Sequence, residues 1–250
     1  GTFNKYVSDS YMAEGFIPVK NANGTYGVKE GKFVAEVGST GYETFDEAIA
    51  AANASAKSAT IYLRENITID HQLVIENAKG KAITLNLEGF TLTSTYAINK
   101  AIKNGSYALV NNTPLTIKNG TFAAGQARAI GALAALTLNG ATVTQQLTGG
   151  HACVAFCAAD KSYTIKDSTI VGAYSVCNFA NNATITITGS TLTGTGNTLY
   201  HNGGNYGLNL TVKDTTITSS GSCGVYISGS TSAQSNAGNQ NGAGGYQPAT

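Results

Sequence analysis

Charge is what this sequence has least of. Of its 250 residues, 12% are Asp, Glu, Lys or Arg, about half the share of an ordinary globular domain. Net charge is +1 and no basic block stands out, so nucleic acid and anionic membrane are poor partners. No run of about 18 apolar residues occurs, which argues against membrane insertion. The opening stretch, GTFNKYVSDSYMAEG, has no basic region followed by an apolar core and does not read as a signal peptide. It reads as a piece cut from something longer.

Cysteine is also sparse, with four residues, all between Cys153 and Cys223. The close pair Cys153 and Cys157 has His151 nearby, but a metal site needs a second convergent pair of ligands. None is visible, so no metal or cofactor is expected. Buried thiols are the first reading and one disulfide the alternative. The parity of CVAFC leaves the pairing open.

Acids nearly vanish beyond residue 77, where only Glu88, Asp160, Asp167 and Asp214 occur, with Arg128 as the only arginine. A polysaccharide lyase needs clustered carboxylates and a basic residue, and a glycoside hydrolase needs two carboxylates at set spacing. Asp167 and Asp214 occupy equivalent turn positions two coils apart, roughly 10 Å at the usual strand spacing. Asp is a favoured turn residue, and Lys166 and Lys213 beside them make a charge-matched rim. No catalytic residue is assigned.

What the chain has instead is an internal repeat. Six segments share one grammar: LNLEGFTLTS from Leu85, LTIKNGTFAA from Leu115, LTLNGATVTQ from Leu136, YTIKDSTIVG from Tyr163, ITITGSTLTG from Ile185 and LTVKDTTITS from Leu210. Matched without gaps, their starts lie 30, 21, 27, 22 and 25 residues apart. A looser unit begins at Thr60. In each, an alternating strand leads to a short turn such as Asn119-Gly120, Asn139-Gly140 or Asp167-Ser168. A second alternating strand follows, then a third apolar segment: RAIGAL, ACVAFC, YSVCNF, NTLYHN or GVYIS.

No unit buries its own apolar face, whereas stacked units bury it for one another. Leu115, Leu136, Tyr163, Ile185 and Leu210 are expected to form one inward column. Ile117, Leu138, Ile165, Ile187 and Val212 form a second, and Phe122, Val143, Ile170, Leu192 and Ile217 a third. The reading is an all-β right-handed parallel β-helix, a single-stranded solenoid of about seven coils from Thr60 to Ser228. A β-sandwich, the main rival, has no reason to repeat one grammar.

The ends read differently. Residues 42–56 form an amphipathic helix, with Thr44 and Glu47 as a capping box and Phe45, Ala48, Ile49 and Ala52 on one face. This helix covers the N-terminal end of the coils, where an open core and strand edges need a cap. Upstream come a short helix over 8–13, stopped by Gly15, and a hairpin, FIPVKNANGTYGVKEGKFVAEV, turning at Asn23-Gly24. Gly1-Thr2-Phe3 echoes Gly120-Thr121-Phe122, as though the chain started in the last turn of a preceding module. The chain divides into a linker and hairpin segment at 1–38, the β-helix with its cap at 39–230, and a Ser/Asn/Gly-rich tail at 231–250. Composition makes that tail a flexible linker.

GTFN-x5-SYMAEGF, NGTYGV and VAEVG-x3-YETFDEAIAAA together resemble the linker and cap between pectate-lyase-like β-helix modules. Such modules recur in large adhesin-type surface proteins of gut Firmicutes. The resemblance is close over roughly 1–60 and generic over the coils. It implies an extracellular or cell-surface location, tandem modules, and glycans or host surface proteins as partners. It carries over no catalytic residue.

The expected role is therefore a non-catalytic module, an adhesin or stalk that binds carbohydrate. A lyase or glycosidase fragment is the alternative. The candidate ligand-binding residues lie on or beside the third strands: Tyr174, Tyr200, His201, Asn202, Tyr206 and Tyr226. Aromatic rings stack on sugars, and amides bond their hydroxyls. Tyr is also simply a good strand residue. A lesser alternative is ice binding. Thr91, Thr121, Thr142, Thr169, Thr191 and Thr216 fill one repeat position, and Thr116, Thr137, Thr164, Thr186 and Thr211 another, with Asn86 in the remaining unit. Thr columns are also what any low-charge β-helix needs on its outside, because like charges would repel in every coil.

Overall fold

The structure, a computed structural model, describes residues 1–5, 7, 11–202 and 205–228. Alternation in the sequence becomes inside and outside. In the strand Ser162–Lys166, Tyr163 and Ile165 are buried, Thr164 is half-buried, and the ends are exposed. The neighbouring strands Leu136–Gln145 and Thr184–Thr188 pair with it in parallel, Leu136 and Ile185 flanking Tyr163. The three expected inward columns all stand in register from coil to coil. Side chains such as Leu138, Ile165 and Phe122 are fully buried, each contributing about 1.5–3 kcal/mol through removal of apolar area from water. The result is a parallel β-solenoid.

From Leu115 onward each coil turns its first corner on a residue in the left-handed region. Asn119, Gly140, Asp167, Gly189 and Asp214 occupy that corner, with φ between 48° and 60°. Gly, Asn and Asp visit this conformation most readily, which is why these five corners use only those residues; in the unit from Leu85, Glu88 stands at φ 50° beside Gly89 at 85°.

The unit from Leu85 departs from ungapped alignment. Leu115 faces Ile83, and Leu85 faces Ile117, yet Thr121 faces Thr91. Four residues separate Asn86 from Thr91, where the next coil has two between Lys118 and Thr121. The surplus is absorbed in a tight bend, the Phe90 amide donating to the Leu87 carbonyl at 2.7 Å. Ungapped matching hid this because a slip of two keeps every side chain on its own face. The correction lengthens one threonine column. Thr84, not Asn86, belongs to it, and it runs Thr60, Thr84, Thr116, Thr137, Thr164, Thr186, Thr211 without interruption.

The third segments form a seven-stranded parallel sheet from Leu73–Ile75 to Val225–Ile227. Its middle strands Tyr107–Asn111 and Ala152–Phe156 are buried at every position. One face meets the solenoid core and the other lies under an outer cluster of aromatic side chains.

At the N-terminal end, the helix Phe45–Ala54 buries Phe45, Ala48, Ile49 and Ala52 against the first coil. Thr44 and Glu47 form the capping box, each satisfying the other's backbone amide. The helix is shorter than the expected 42–56, since Tyr42 belongs to the strand Thr40–Tyr42. Residues 35–37, placed by sequence in the linker segment, form the strand Ala35–Val37. It pairs antiparallel with the first coil strand Ala59–Leu63, closing that sheet edge. Asn77 fastens the helix end, its amide donating to the carbonyls of Ala52 at 3.0 Å and Ser55 at 2.9 Å.

The hairpin pairs Phe16–Lys20 with Tyr26–Glu30, Phe16 opposite Glu30 and Lys20 opposite Tyr26. Its connection spans five residues, 21–25, with Gly24 at φ 82°. Residues 8–10 of the helix expected over 8–13, and the tail at 231–250, lie outside the described residues.

Candidate functional site

The outer face of the seven-stranded sheet carries one register column: Val110, Gly131, Ala155, Cys177, Tyr200, Tyr226. Its side chains are small in the middle and aromatic at the C-terminal end. Over the small residues lies an outer apolar cluster separate from the main core, holding Tyr107, Val110, Ala152, Ala155 and Cys177. Tyr107 sits directly on Gly131, where a Cβ would fall 2.6 Å from the ring.

Where the column becomes aromatic, the rings assemble. Tyr226 stacks on Tyr200, centroids 5.5 Å apart and planes 16° from parallel. Tyr174 meets Tyr200 at 5.6 Å in a tilted arrangement, and Phe179 meets it at 6.3 Å. These rings, with Asn197, Gly150 and Arg128, line an open groove of about 550 Å³. Burial, with smaller contributions from neighbouring Cys177, Tyr226 and Tyr174, raises the Tyr200 phenol above its ordinary value. It is therefore a neutral hydrogen-bonding group, donating to Asn202 Oδ1 at 3.4 Å.

Of the six candidate residues, the structure brings Tyr174, Tyr200 and Tyr226 into the groove and joins Asn202 to its edge. His201 is elsewhere. It points inward, 3% exposed, with the Asn178 amide 2.9 Å from Nδ1. Alternation along Leu199–His201 sends it to the face opposite Tyr200. Tyr206 lies on the following loop, its amide bonded to Asn181 Oδ1 at 3.2 Å, and does not line the groove.

Sequence reading missed Arg128, Phe179 and Asn197. Arg128 opens the strand Arg128–Ala132 and faces Tyr107 in register. Aligning the third segments with one another, as was done for the first strands, would have placed it beside that ring. Its guanidinium lies 5.6 Å from the Tyr107 centroid. Nε donates to His151 Nδ1 at 3.3 Å and Nη1 to the Tyr107 hydroxyl at 3.4 Å. Burial, reinforced by Cys157, pushes the Tyr107 phenol far up, with Arg128 pulling the other way.

The cysteines are all free thiols. Cys153 is in the main core and Cys177 in the outer cluster, so the two face opposite sides of the sheet. Burial pushes the Cys177 thiol up to about 12 and raises Cys153 further still, leaving both protonated and inert. Among the described residues no cluster of His, Cys, Asp or Glu is arranged to hold a metal.

A second cleft, of about 380 Å³, opens beside the capping helix. Its acids are engaged within the protein: Glu43 by Lys29 and Glu65 by Lys32, while the His71 ring lies 3.1 Å from Asp46 and 3.3 Å from Asp70. It reads as an ion-paired seam joining hairpin, helix and first coil. The coil acids Asp167 and Asp214 sit in left-handed corners beside Lys166 and Lys213, at 3.9 and 3.8 Å.

Comparison with known proteins returns no match: no family model fits the chain, and no curated protein or solved structure is significantly similar to it.

Proposed function

We propose that the chain is a non-catalytic β-solenoid module of an extracellular bacterial surface protein, acting in adhesion or as a stalk, and that it binds carbohydrate in its tyrosine groove. The observation that carries this reading is the convergence of Tyr174, Tyr200, Tyr226 and Phe179 around one open groove. The parts of these rings left open to the groove offer pyranose rings apolar area, and the phenols and the Asn197 amide offer hydrogen bonds. Three coils contribute, so the binding surface follows from stacking and not from one loop.

The non-catalytic part rests on where the acids are. Among the described residues no acid lines the groove, and Asp167 and Asp214 are turn residues with lysine neighbours. The surface location rests on the adhesin-type resemblance over 1–60 and on the low charge.

The test is a glycan array probed with the chain, together with product analysis after incubation with the retained glycans. Retention without new reducing ends or unsaturated sugars is the expected result. Released products overturn the non-catalytic reading, and no retention on any glycan overturns the binding reading.

A further inference from the structure

Arg128 has no counterion. Among the described residues no carboxylate lies within salt-bridge reach of it, and its two hydrogen-bonded partners, His151 Nδ1 and the Tyr107 hydroxyl, are acceptors but not carboxylates. Those bonds use two of the five guanidinium N–H donors. Three remain, including both on Nη2. The guanidinium is also immobilised, half-buried, over the Tyr107 ring. A cation held this way is prepared for an anion that the protein itself does not supply, and its fork matches a carboxylate or sulfate with two parallel bonds.

The rest of the groove is neutral. Tyr174, Phe179, Tyr200, Tyr226 and Asn197 carry no charge, and among the described residues Arg128 is the only cation that lines it. An anion placed over the tyrosines would lose water without gaining a countercharge, which is costly. We propose that the groove selects a largely neutral saccharide carrying one acidic group, whose anion pairs with Arg128 while its neutral rings lie along Tyr174, Tyr200 and Tyr226. This rests on the carbohydrate-binding reading above and adds the charge pattern of the ligand. A chain with an acid on every sugar is disfavoured by the same geometry.

The experiment uses immobilised glycans in matched pairs that differ by one acidic group. In one set it is the carboxylate of a terminal sialic or uronic acid, in another a sulfate ester. Polyuronate chains form a third set. Affinities of the unaltered chain are compared with those of Arg128→Gln and Arg128→Lys, with circular dichroism confirming the β fold of each. The expected result is at least tenfold tighter binding of the singly acidic member over both its neutral partner and polyuronate. Arg128→Gln removes that preference, and Arg128→Lys keeps part of it. Rising salt narrows the preference in the unaltered chain, a reading that does not depend on either variant folding. Which acidic set is retained assigns carboxylate or sulfate. Equal binding of neutral and acidic partners, or tighter binding of polyuronate, overturns this inference and leaves carbohydrate binding standing. Absence of binding throughout overturns both.

Discussion

The backbone amide of Ser168 donates across the coil boundary to the Ser190 hydroxyl at 3.2 Å, and that hydroxyl donates to the Thr188 carbonyl at 2.8 Å. The pattern repeats on either side. The Ala141 amide donates to the Ser168 hydroxyl at 3.1 Å, and the Ser190 amide to the Thr215 hydroxyl at 3.4 Å. At the left-handed corner the strand ladder breaks, and a hydroxyl stands in for the missing carbonyl. Ser190→Ala removes that acceptor at a site only 4% exposed. The expected loss is about 1–3 kcal/mol, the cost of leaving a buried amide unpaired. Urea unfolding measures it, and Ser190→Thr should recover most of it. A loss below about 0.5 kcal/mol would show that the amide finds another partner.

Asn77 concentrates more bonds than any single coil residue nearby. Besides its two donations to the capping helix, its Oδ1 accepts from the amides of Lys79 at 2.9 Å and Lys81 at 3.0 Å. The Ala52 carbonyl in the helix's last turn, which also accepts from the Ser55 amide, and the carbonyl of the C-cap Ser55 are bonded this way. Asn77→Ala should cost about 3 kcal/mol or more, since several partners lose a bond together. Hydrogen exchange would then quicken in residues 45–54 before it does in the middle coils. Uniform acceleration along the whole chain would mean that the cap does not open separately.

The columns were legible because the inside of a solenoid demands apolar residues at period two and its corners demand Gly, Asn or Asp. Leu136, Tyr163 and Ile185 announce themselves in that way, and so does the face Phe45, Ala48, Ile49, Ala52 of the helix. The bend at Leu87–Phe90 was hidden because a two-residue slip leaves the pattern unchanged. The third sheet was harder for a different reason. Its middle strands are buried on both faces, so alternation there no longer separates inside from outside. Hence His201 and Tyr200 looked alike as neighbours in NTLYHN, although one belongs to the core and the other to the groove. The role of Arg128 depends on Tyr107 lying one coil away, a relation that only register supplies.

His201 gives the fold a pH dependence whose sign follows from its burial. Desolvation lowers its pKa below the ordinary value of 6.5, with a hydrogen bond to the Asn205 backbone opposing in part. The Asn178 side chain fixes the ring's protonation. Its Oδ1 accepts from the Ala180 amide at 3.1 Å and its Nδ2 donates to the Ala180 carbonyl at 3.0 Å, so it cannot flip without losing both. Its Nδ2 therefore faces His201 Nδ1 as a donor, and a proton on Nδ1 would set donor against donor. Below about pH 6.5 the unfolded chain binds a proton at this site that the folded chain refuses. Stability then rises with pH, and it is lost as pH falls from about 6.5 toward the depressed folded value. The slope from this one group is at most about 1.4 kcal/mol per pH unit. Urea midpoints taken between pH 7 and 5 should fall, and His201→Gln should flatten the fall over the same interval. If the variant keeps the full slope, the dependence belongs to other groups. If its slope steepens, the burial of a neutral His201 is wrong.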